Sequence, residues 1–435
     1  GAPGGGPMEA RVRTAHETEL VAKAARYLAG GTLGNLLDDV ILASGRGSHV
    51  RDASGHEYID YLLGSGPMLV GHAHPEVVAA VRDQLERGST FFANNEPAIL
   101  LAEEICKAMP CAEKLRFCSS GTEATLYAMR LARAIRRRDC ILKFEGGFHG
   151  MHDYAVMSMS PPAPGEFPTP VADSAGIPRA IESTMLVAPF NDLATTAAIV
   201  DRHHDELAGV IVEPFQRVLA PRPGFLAGLR ELTARHGIPL IFDEVVTSFR
   251  FAYGGAQEFY GITPDLCALG KAVGGGFPLT AVAGREELMA HFDQARVGRD
   301  QFIPQVGTLS GNPIATAAGL ATVRILKRPG TYERMHALGN QLKQALQRAC
   351  DSAGIPARVV GEGVLFEVYF TDGEITDYRS TLRADRTRHA RFVRLLRERG
   401  VFRGASKFYL SIMHDEADVA ETIRAFESAV AALAD

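Results

Sequence analysis

The stretch Ile241-Phe-Asp-Glu-Val-Val-Thr-Ser-Phe-Arg250 is followed by Leu269-Gly-Lys-Ala-Val-Gly-Gly-Gly-Phe-Pro278, which places Lys271 twenty-eight positions after Asp243. The first segment reads as a short buried strand that ends on acids. The second reads as a strand that runs into a glycine-rich turn carrying a lysine. Working outward, residues 75–325 alternate apolar runs of strand length with amphipathic stretches of helix length, the pattern of a largely parallel sheet covered on both faces. Strands are expected at 114–118, 140–144, 209–212, 239–242, 266–269 and 279–283, several of them followed at once by polar or glycine-rich residues. A sheet of this kind places its site beyond the carboxyl ends of its strands.

Residues 157–183 hold six prolines and two glycines without periodicity and predict a long loop of the kind that serves as a lid. Past residue 325 the texture changes to long helical patterns at 332–350, 388–399 and 417–433, interleaved with short strands near 363–370 and 408–413. The expected organisation is a tail over 1–7, an N-terminal segment over 8–70, a large domain over 71–325 and a smaller C-terminal domain over 326–435 that the N-terminal segment joins.

The chain has 435 residues, 46% of them hydrophobic and 22% charged, enough to bury a substantial core. Its 46 basic residues against 51 acidic ones give a net charge of -5, without the basic surplus that binding a phosphate backbone needs. No apolar stretch is long enough to span a bilayer. Six cysteines without a CxxC pair fit reduced thiols in a cytoplasmic protein better than disulfides or a zinc site. The absence of GxGxxG after an early strand argues against a nicotinamide enzyme.

Asp243 and Lys271 could form a structural ion pair. Their company suggests otherwise. A pyridoxal cofactor requires a lysine amine for an imine and a carboxylate facing the pyridine nitrogen. It also requires a phosphate cup of backbone N–H groups, and Ser119-Ser-Gly-Thr-Glu-Ala124 lies between a strand and the helix expected over 122–138. By itself this motif is most often only an N-cap.

Together these segments resemble the class III, fold-type I pyridoxal-phosphate aminotransferases, and within them the glutamate-1-semialdehyde 2,1-aminomutase group. The resemblance runs from Tyr58-Ile-Asp-Tyr61 and Gly71-His-Ala-His-Pro75 through Phe144-Glu-Gly-Gly-Phe-His-Gly150, Val212-Glu-Pro214 and Gly307-Thr-Leu-Ser-Gly-Asn-Pro313 to His414-Asp-Glu-Ala-Asp-Val419. It implies that Lys271 forms the aldimine and shuttles the substrate proton, and that Asp243 faces the pyridinium. It implies that Ser120, Gly121 and Thr122 hold the phosphate, with Thr308 reaching the site of a neighbouring subunit in a homodimer. Phe148 would stack on the ring and Val245 would pack on the opposite face. Glu213, Gln216 and His149 would lie beside the cofactor, each with a structural hydrogen bond as the alternative. Pyridoxamine phosphate would be the intermediate form, and the substrates would be small amines, amino acids and carbonyl compounds.

Three positions depart from the aminomutase pattern. Leu37, in Gly30-Gly-Thr-Leu-Gly-Asn-Leu-Leu37, stands where the aminomutase carries an arginine for the substrate carboxylate. Ser65 replaces a tryptophan, and a glutamate is missing where Ser406-Lys-Phe408 runs directly into Tyr409. Losing the guanidinium–carboxylate pair removes roughly 1.5–3 kcal/mol of substrate binding. Lys407 and Arg403 are the candidate replacements, each with a surface charge as the alternative. Val218 occupies a place where many ω-aminotransferases carry a glutamate. The reading is therefore an aminotransferase acting on a substrate other than the semialdehyde, with a glutamate-1-semialdehyde 2,1-aminomutase or a related intramolecular aminomutase as the alternative and a non-catalytic descendant as a weaker rival.

Overall fold

The computed structural model describes residues 12–435, so the tail expected over 1–7 lies outside the described residues. The chain divides into two units: one holds Pro75–Tyr332 with Glu374–Arg383, the other the residues up to His74 with Glu333–Gly373 and Ala384–Asp435.

The larger unit is built on seven strands: β1 (Lys114–Cys118), β2 (Cys140–Phe144), β3 (Met185–Ala188), β4 (Leu207–Val212), β5 (Leu240–Glu244), β6 (Leu266–Leu269) and β7 (Thr280–Gly284). Their spatial order is β1-β7-β6-β5-β4-β2-β3. The strands β6, β5, β4, β2 and β3 run parallel to one another. Only β7 is reversed, antiparallel to both β1 and β6. Every residue of β4, Leu-Ala-Gly-Val-Ile-Val, is buried, as a central parallel strand covered on both faces requires. Helix Gly121–Arg136 packs closely on this strand, because a Cβ at Gly209 would stand 2.9 Å from that of Ala132.

Strand β3 is absent from the sequence expectation. It is a four-residue edge strand directly after the proline-rich segment, too short to carry a period of its own. The segment 157–183 is held in place by hydrogen bonds rather than loose. Ser158 N–H donates to Val171 O at 2.7 Å, Val171 N–H to Ser158 Oγ at 2.9 Å and Ser160 N–H to Asp173 Oδ2 at 2.6 Å. It also contains a short helix, Arg179–Glu182. The return of Glu374–Arg383 to this unit has no signal in the sequence either. Its anchors are Tyr378 Oη–H to Pro161 O at 2.7 Å and Asn191 Nδ2–H to Thr376 O at 2.9 Å.

In the smaller unit, strands Leu42–Arg46, His49–Asp52 and Glu57–Asp60 form an antiparallel meander, and Val401–Phe402 adds to it in parallel beside Ile59 and Asp60. This pairing joins the N-terminal segment to the C-terminal one. A second sheet orders Arg358–Glu362, Leu365–Tyr369 and Phe408–Tyr409. Helices Thr331–Ser352, Arg386–Glu398 and Glu416–Ala434 supply the remaining faces of a core that includes Leu342, Phe366, Phe392, Phe408 and Phe426.

The contact between helix Thr331–Ser352 and the turn before strand Leu365–Tyr369 is glycine on glycine: a Cβ on Gly339 would fall 1.7 Å from Gly363 O. A backbone oxygen cannot rotate aside as a side chain does. Gly339→Ala should therefore cost at least the 1–3 kcal/mol typical of overpacking, roughly several degrees of melting temperature in a chain of this size. Thermal unfolding followed by circular dichroism checks this, and an unchanged midpoint would contradict the packing described.

Candidate functional site

The carboxyl ends of the parallel strands bring together the loops that follow them. Strand β5 ends Asp243-Glu244, and its two acids have different fates. Glu244 is fully buried, accepts from Thr247 Oγ1 at 2.8 Å, and burial pushes its carboxyl upward. It braces the turn that follows. Asp243 is also buried but faces the loop after β2: His149 Nδ1 lies 2.8 Å from Asp243 Oδ2, and Val245 N–H donates to Oδ1 at 3.1 Å. Burial above all, then the neighbouring Lys143, pushes the His149 imidazole down to about 3, so it is neutral at physiological pH. A carboxylate partner requires the proton on Nδ1, which leaves Nε2 as a bare acceptor, and that buried atom has no partner.

The loop carrying Phe148 and His149 is fixed from beneath. The fully buried Lys143, pushed down to about 7 by burial first and Arg217 second, donates to Gly147 O at 3.1 Å and Ala155 O at 2.9 Å. Just past β4, Glu213 accepts the Phe148 N–H at 2.6 Å, and Gln216 Nε2–H donates to Glu145 O at 2.9 Å. The second amide atom of Gln216, Oε1, is buried without a partner. A Cβ on Gly147 would lie 3.1 Å from His149 Nε2 and 3.4 Å from Gln216 Oε1, so glycine leaves these two unsatisfied groups the space between them. Phe148 itself keeps 40% of its surface exposed, an uncommon state for a core aromatic.

Ser120 caps helix Gly121–Arg136, its Oγ accepting Glu123 N–H at 3.2 Å. Gly121 and Thr122 follow in the first turn, where free N–H groups and the helix dipole favour an anion. Thr122 Oγ1 accepts Met151 N–H at 3.0 Å, and Gly150 approaches so closely that a Cβ there would stand 2.6 Å from Thr122 Cα. Val245 touches both ends of the site: its methyls lie 3.5 and 3.6 Å from a Cβ built on Gly121, and one of them 3.0 Å from a Cβ built on Gly270. Gly270 directly precedes Lys271, which begins a short 3-10 turn with φ of 50°, a left-handed value uncommon outside glycine. Asp243 on β5 pairs with Ala268 on β6, three residues before that lysine.

The positions expected around a substrate lie in the smaller unit. Leu37 is 89% exposed, and Ser65 is exposed in a turn with φ of 69°. Tyr409 is buried with its N–H on Tyr61 O at 2.8 Å, and the Lys407 ammonium sits 5.7 Å from the Tyr409 ring. Arg403 is neither a surface charge nor available to a ligand. It is fully buried and doubly bonded to Glu367 at 2.5 Å from each nitrogen, with His389 on the same carboxylate at 3.2 Å. The sequence offered the arginine but not its partner, thirty-six positions away. Thr308 is exposed, in a turn between Gly307 and Gly311. All six cysteines are free thiols.

A family model described as Aminotransferase class-III matches residues 34–430. The chain belongs to the class III aminotransferase family. It is 40% identical over 424 residues to the glutamate-1-semialdehyde 2,1-aminomutase of Desulforudis audaxviator, covering 94% of this chain and 96% of that protein. Among solved structures it resembles an omega-transaminase from Sphaerobacter thermophilus, with a TM-score of 0.90, 36% identity and coverage of 95% and 97%. It also resembles a glutamate-1-semialdehyde-aminomutase from Pseudomonas aeruginosa, with a TM-score of 0.85, 25% identity and coverage of 96% and 94%, which has also been solved with PMP bound. Members of this class III family use pyridoxal phosphate. The site fits that group in its donor set: an open helix N-terminus for a dianion, a buried carboxylate for a ring nitrogen, and unpartnered buried polar atoms beside it.

The neutral state of His149 has a measurable consequence. Its folded pKa near 3 lies below the unfolded value near 6.5, so the unfolded chain binds the extra proton between them. The stability His149 contributes is complete above pH 6.5 and falls as the pH drops toward 3, about 2 kcal/mol of it between pH 6.5 and 5. His149→Gln should lose less melting temperature than the parent when taken from pH 7 to 5. Equal losses would contradict the neutral, buried imidazole.

Proposed function

We propose that this enzyme is an aminotransferase that takes an amino group from an amine or amino-acid donor and passes it, in a second half-reaction, to a carbonyl acceptor. Bound pyridoxal phosphate supplies an electrophilic carbon and a ring that draws electrons from the substrate carbon. The chain supplies the rest. Lys271 carries the amine that holds the cofactor and moves the proton at the substrate carbon. Asp243 holds the proton on the ring nitrogen, and the neutral His149, donating to Asp243 Oδ2, fixes that carboxylate in its ionised, oriented form. Ser120, Gly121 and Thr122 bind the phosphate through the helix N-terminus. Val245 packs on one ring face and Phe148 on the other, with Glu213 setting the Phe148 backbone and the unpartnered Gln216 Oε1 able to accept from a ring substituent.

The observation that carries transfer over rearrangement is the change at Leu37, Ser65 and the Phe408–Tyr409 turn. It removes a cation, an indole and an acid from the region where the aminomutase recognises its substrate. A carboxylate beside Leu37 finds no guanidinium to pair with, a loss of roughly 1.5–3 kcal/mol of binding. The structural similarity to the omega-transaminase, at 36% identity, supports the same reading. The sequence relatives support the alternative at least as strongly. Those at 37–42% identity are named as glutamate-1-semialdehyde 2,1-aminomutases, whose chemistry keeps the amino group within one molecule.

The two readings separate in one assay. With pyruvate as acceptor and a panel of 15N-labelled aryl, aliphatic and β-amino donors, the transferase reading expects label in alanine, and none with Lys271→Ala. Rapid isomerisation of glutamate-1-semialdehyde supplied alone, with no label reaching alanine from any donor, would establish the aminomutase instead.

The unit of function in this proposal is a cytoplasmic homodimer in which Thr308 reaches the partner's phosphate site. Its exposure, beside the exposed side chains of Val306 and Leu309, suits a surface that a second copy covers. Mixed dimers of Thr308→Ala and Lys271→Ala subunits should then hold one site with both defects and one with neither, and keep about half the parent activity. Activity no higher than that of the Thr308→Ala enzyme would place the contact within one subunit. Among the described residues, no helix is long and apolar enough to cross a membrane.

A further inference from the structure

Arg217 sits beside the candidate cofactor site, and no sequence motif points to it. It occupies the first central position of a tight turn closed by Gln216 N–H to Leu219 O at 3.0 Å and Leu219 N–H to Gln216 O at 2.8 Å. Its φ is 60°, in the left-handed region where such turns favour glycine. An arginine held there gives up backbone comfort, and residues of this kind gather at functional sites. What the position gains is the placement of its guanidinium. The Cζ lies 5.0 Å from the centre of the Phe148 ring, Nε donates to Gly146 O at 3.0 Å, and Nη2 is 3.5 Å from Ser160 Oγ.

Arg217 as a whole is half-buried with its outer edge exposed, and among the described residues no carboxylate lies within ion-pairing distance of it. The neighbouring cation makes the contrast. Arg379, which reaches the same loop, is bound to Glu145 through two nitrogens at 2.9 and 3.1 Å and so has its anion. Arg217 is held by one carbonyl through Nε, which leaves the outer edge of the guanidinium, the edge that grips a carboxylate with two parallel hydrogen bonds, without an anion. A cation kept partly out of water without a counter-charge is costly unless a ligand supplies one.

We propose that Arg217 binds the carboxylate of the substrate, with the Ser160 hydroxyl as a second donor, and that the enzyme therefore selects substrates bearing an acid group, such as a 2-oxo acid acceptor. This rests on the reading of Phe148 and Asp243 as the cofactor site. It assigns the carboxylate-binding role to the larger unit, while the aminomutase arginine is lost at Leu37.

The test measures binding of pyruvate, 2-oxoglutarate and propionate, together with the uncharged propionamide, to the pyridoxal-phosphate-loaded enzyme by calorimetry. Arg217→Gln should weaken at least one of the acids tenfold or more while changing the amide by less than twofold, and Arg217→Lys should recover part of the loss. The visible spectrum of the bound cofactor should be the same in parent and variants. Arg217→Gly should melt no lower than the parent, because glycine suits the turn, and should still bind the acid poorly. Three results overturn the proposal: a parent that binds none of the acids, an Arg217→Gln variant within twofold of the parent for all of them, or equal weakening of acids and amide. The transferase reading fails separately. An enzyme that binds acids through Arg217 yet passes no amino group between molecules would keep this assignment and lose that one.

Discussion

A carboxylate sealed at the end of a central parallel strand organises this molecule's candidate site. Asp243 is 6% exposed, where an ionised acid is tolerable only with hydrogen bonds to its oxygens. Val245 N–H and His149 Nδ1 provide them, at 3.1 and 2.8 Å. The histidine in turn is neutral because it is buried, and it is buried because the loop carrying it is tied down by Lys143, Glu213 and Gln216. These supports come from different strands and loops of the larger unit. The sheet thus serves as a frame that holds one buried acid in place, the acid that the proposed function sets against a ring nitrogen.

The same economy governs the space around it. Gly270 leaves room for Val245, and Gly147 leaves room between His149 Nε2 and Gln216 Oε1. A flat aromatic group needs thin walls on both faces and a few polar atoms in its plane, and the glycines are placed where a side chain would intrude. Among the described residues ten non-glycine positions take left-handed backbone values, and Lys271 and Arg217 are two of them.

Much of this is legible in the sequence because pyridoxal chemistry demands particular residue types at strand ends. In the proposed site, Asp243, Lys271 and Ser120-Gly121-Thr122 are offered by residue type and by their place after an apolar run. The family resemblance adds Phe148, Glu213 and Gln216, whose local partners only the fold reveals. Other features have no local signal. Met185–Ala188 is too short to show a period, and Glu374–Arg383 returns to the larger unit through hydrogen bonds to residues far away in sequence. Arg403 reads as a candidate ligand because Glu367, its partner, is remote in the chain. Arg217 escapes notice because a lone arginine after Val212-Glu-Pro214 reads as a surface charge, and only the folded turn sets it over Phe148.

The claim at the centre of this account is that Asp243, held by His149, meets the cofactor's ring nitrogen. A crystal structure of the enzyme loaded with pyridoxal phosphate tests it most directly. The account predicts the ring nitrogen about 3 Å or less from an Asp243 oxygen, with the His149 contact to that carboxylate retained and the phosphate at the N-terminus of helix Gly121–Arg136. A ring nitrogen paired to any other residue, or a phosphate bound away from that helix, would contradict it.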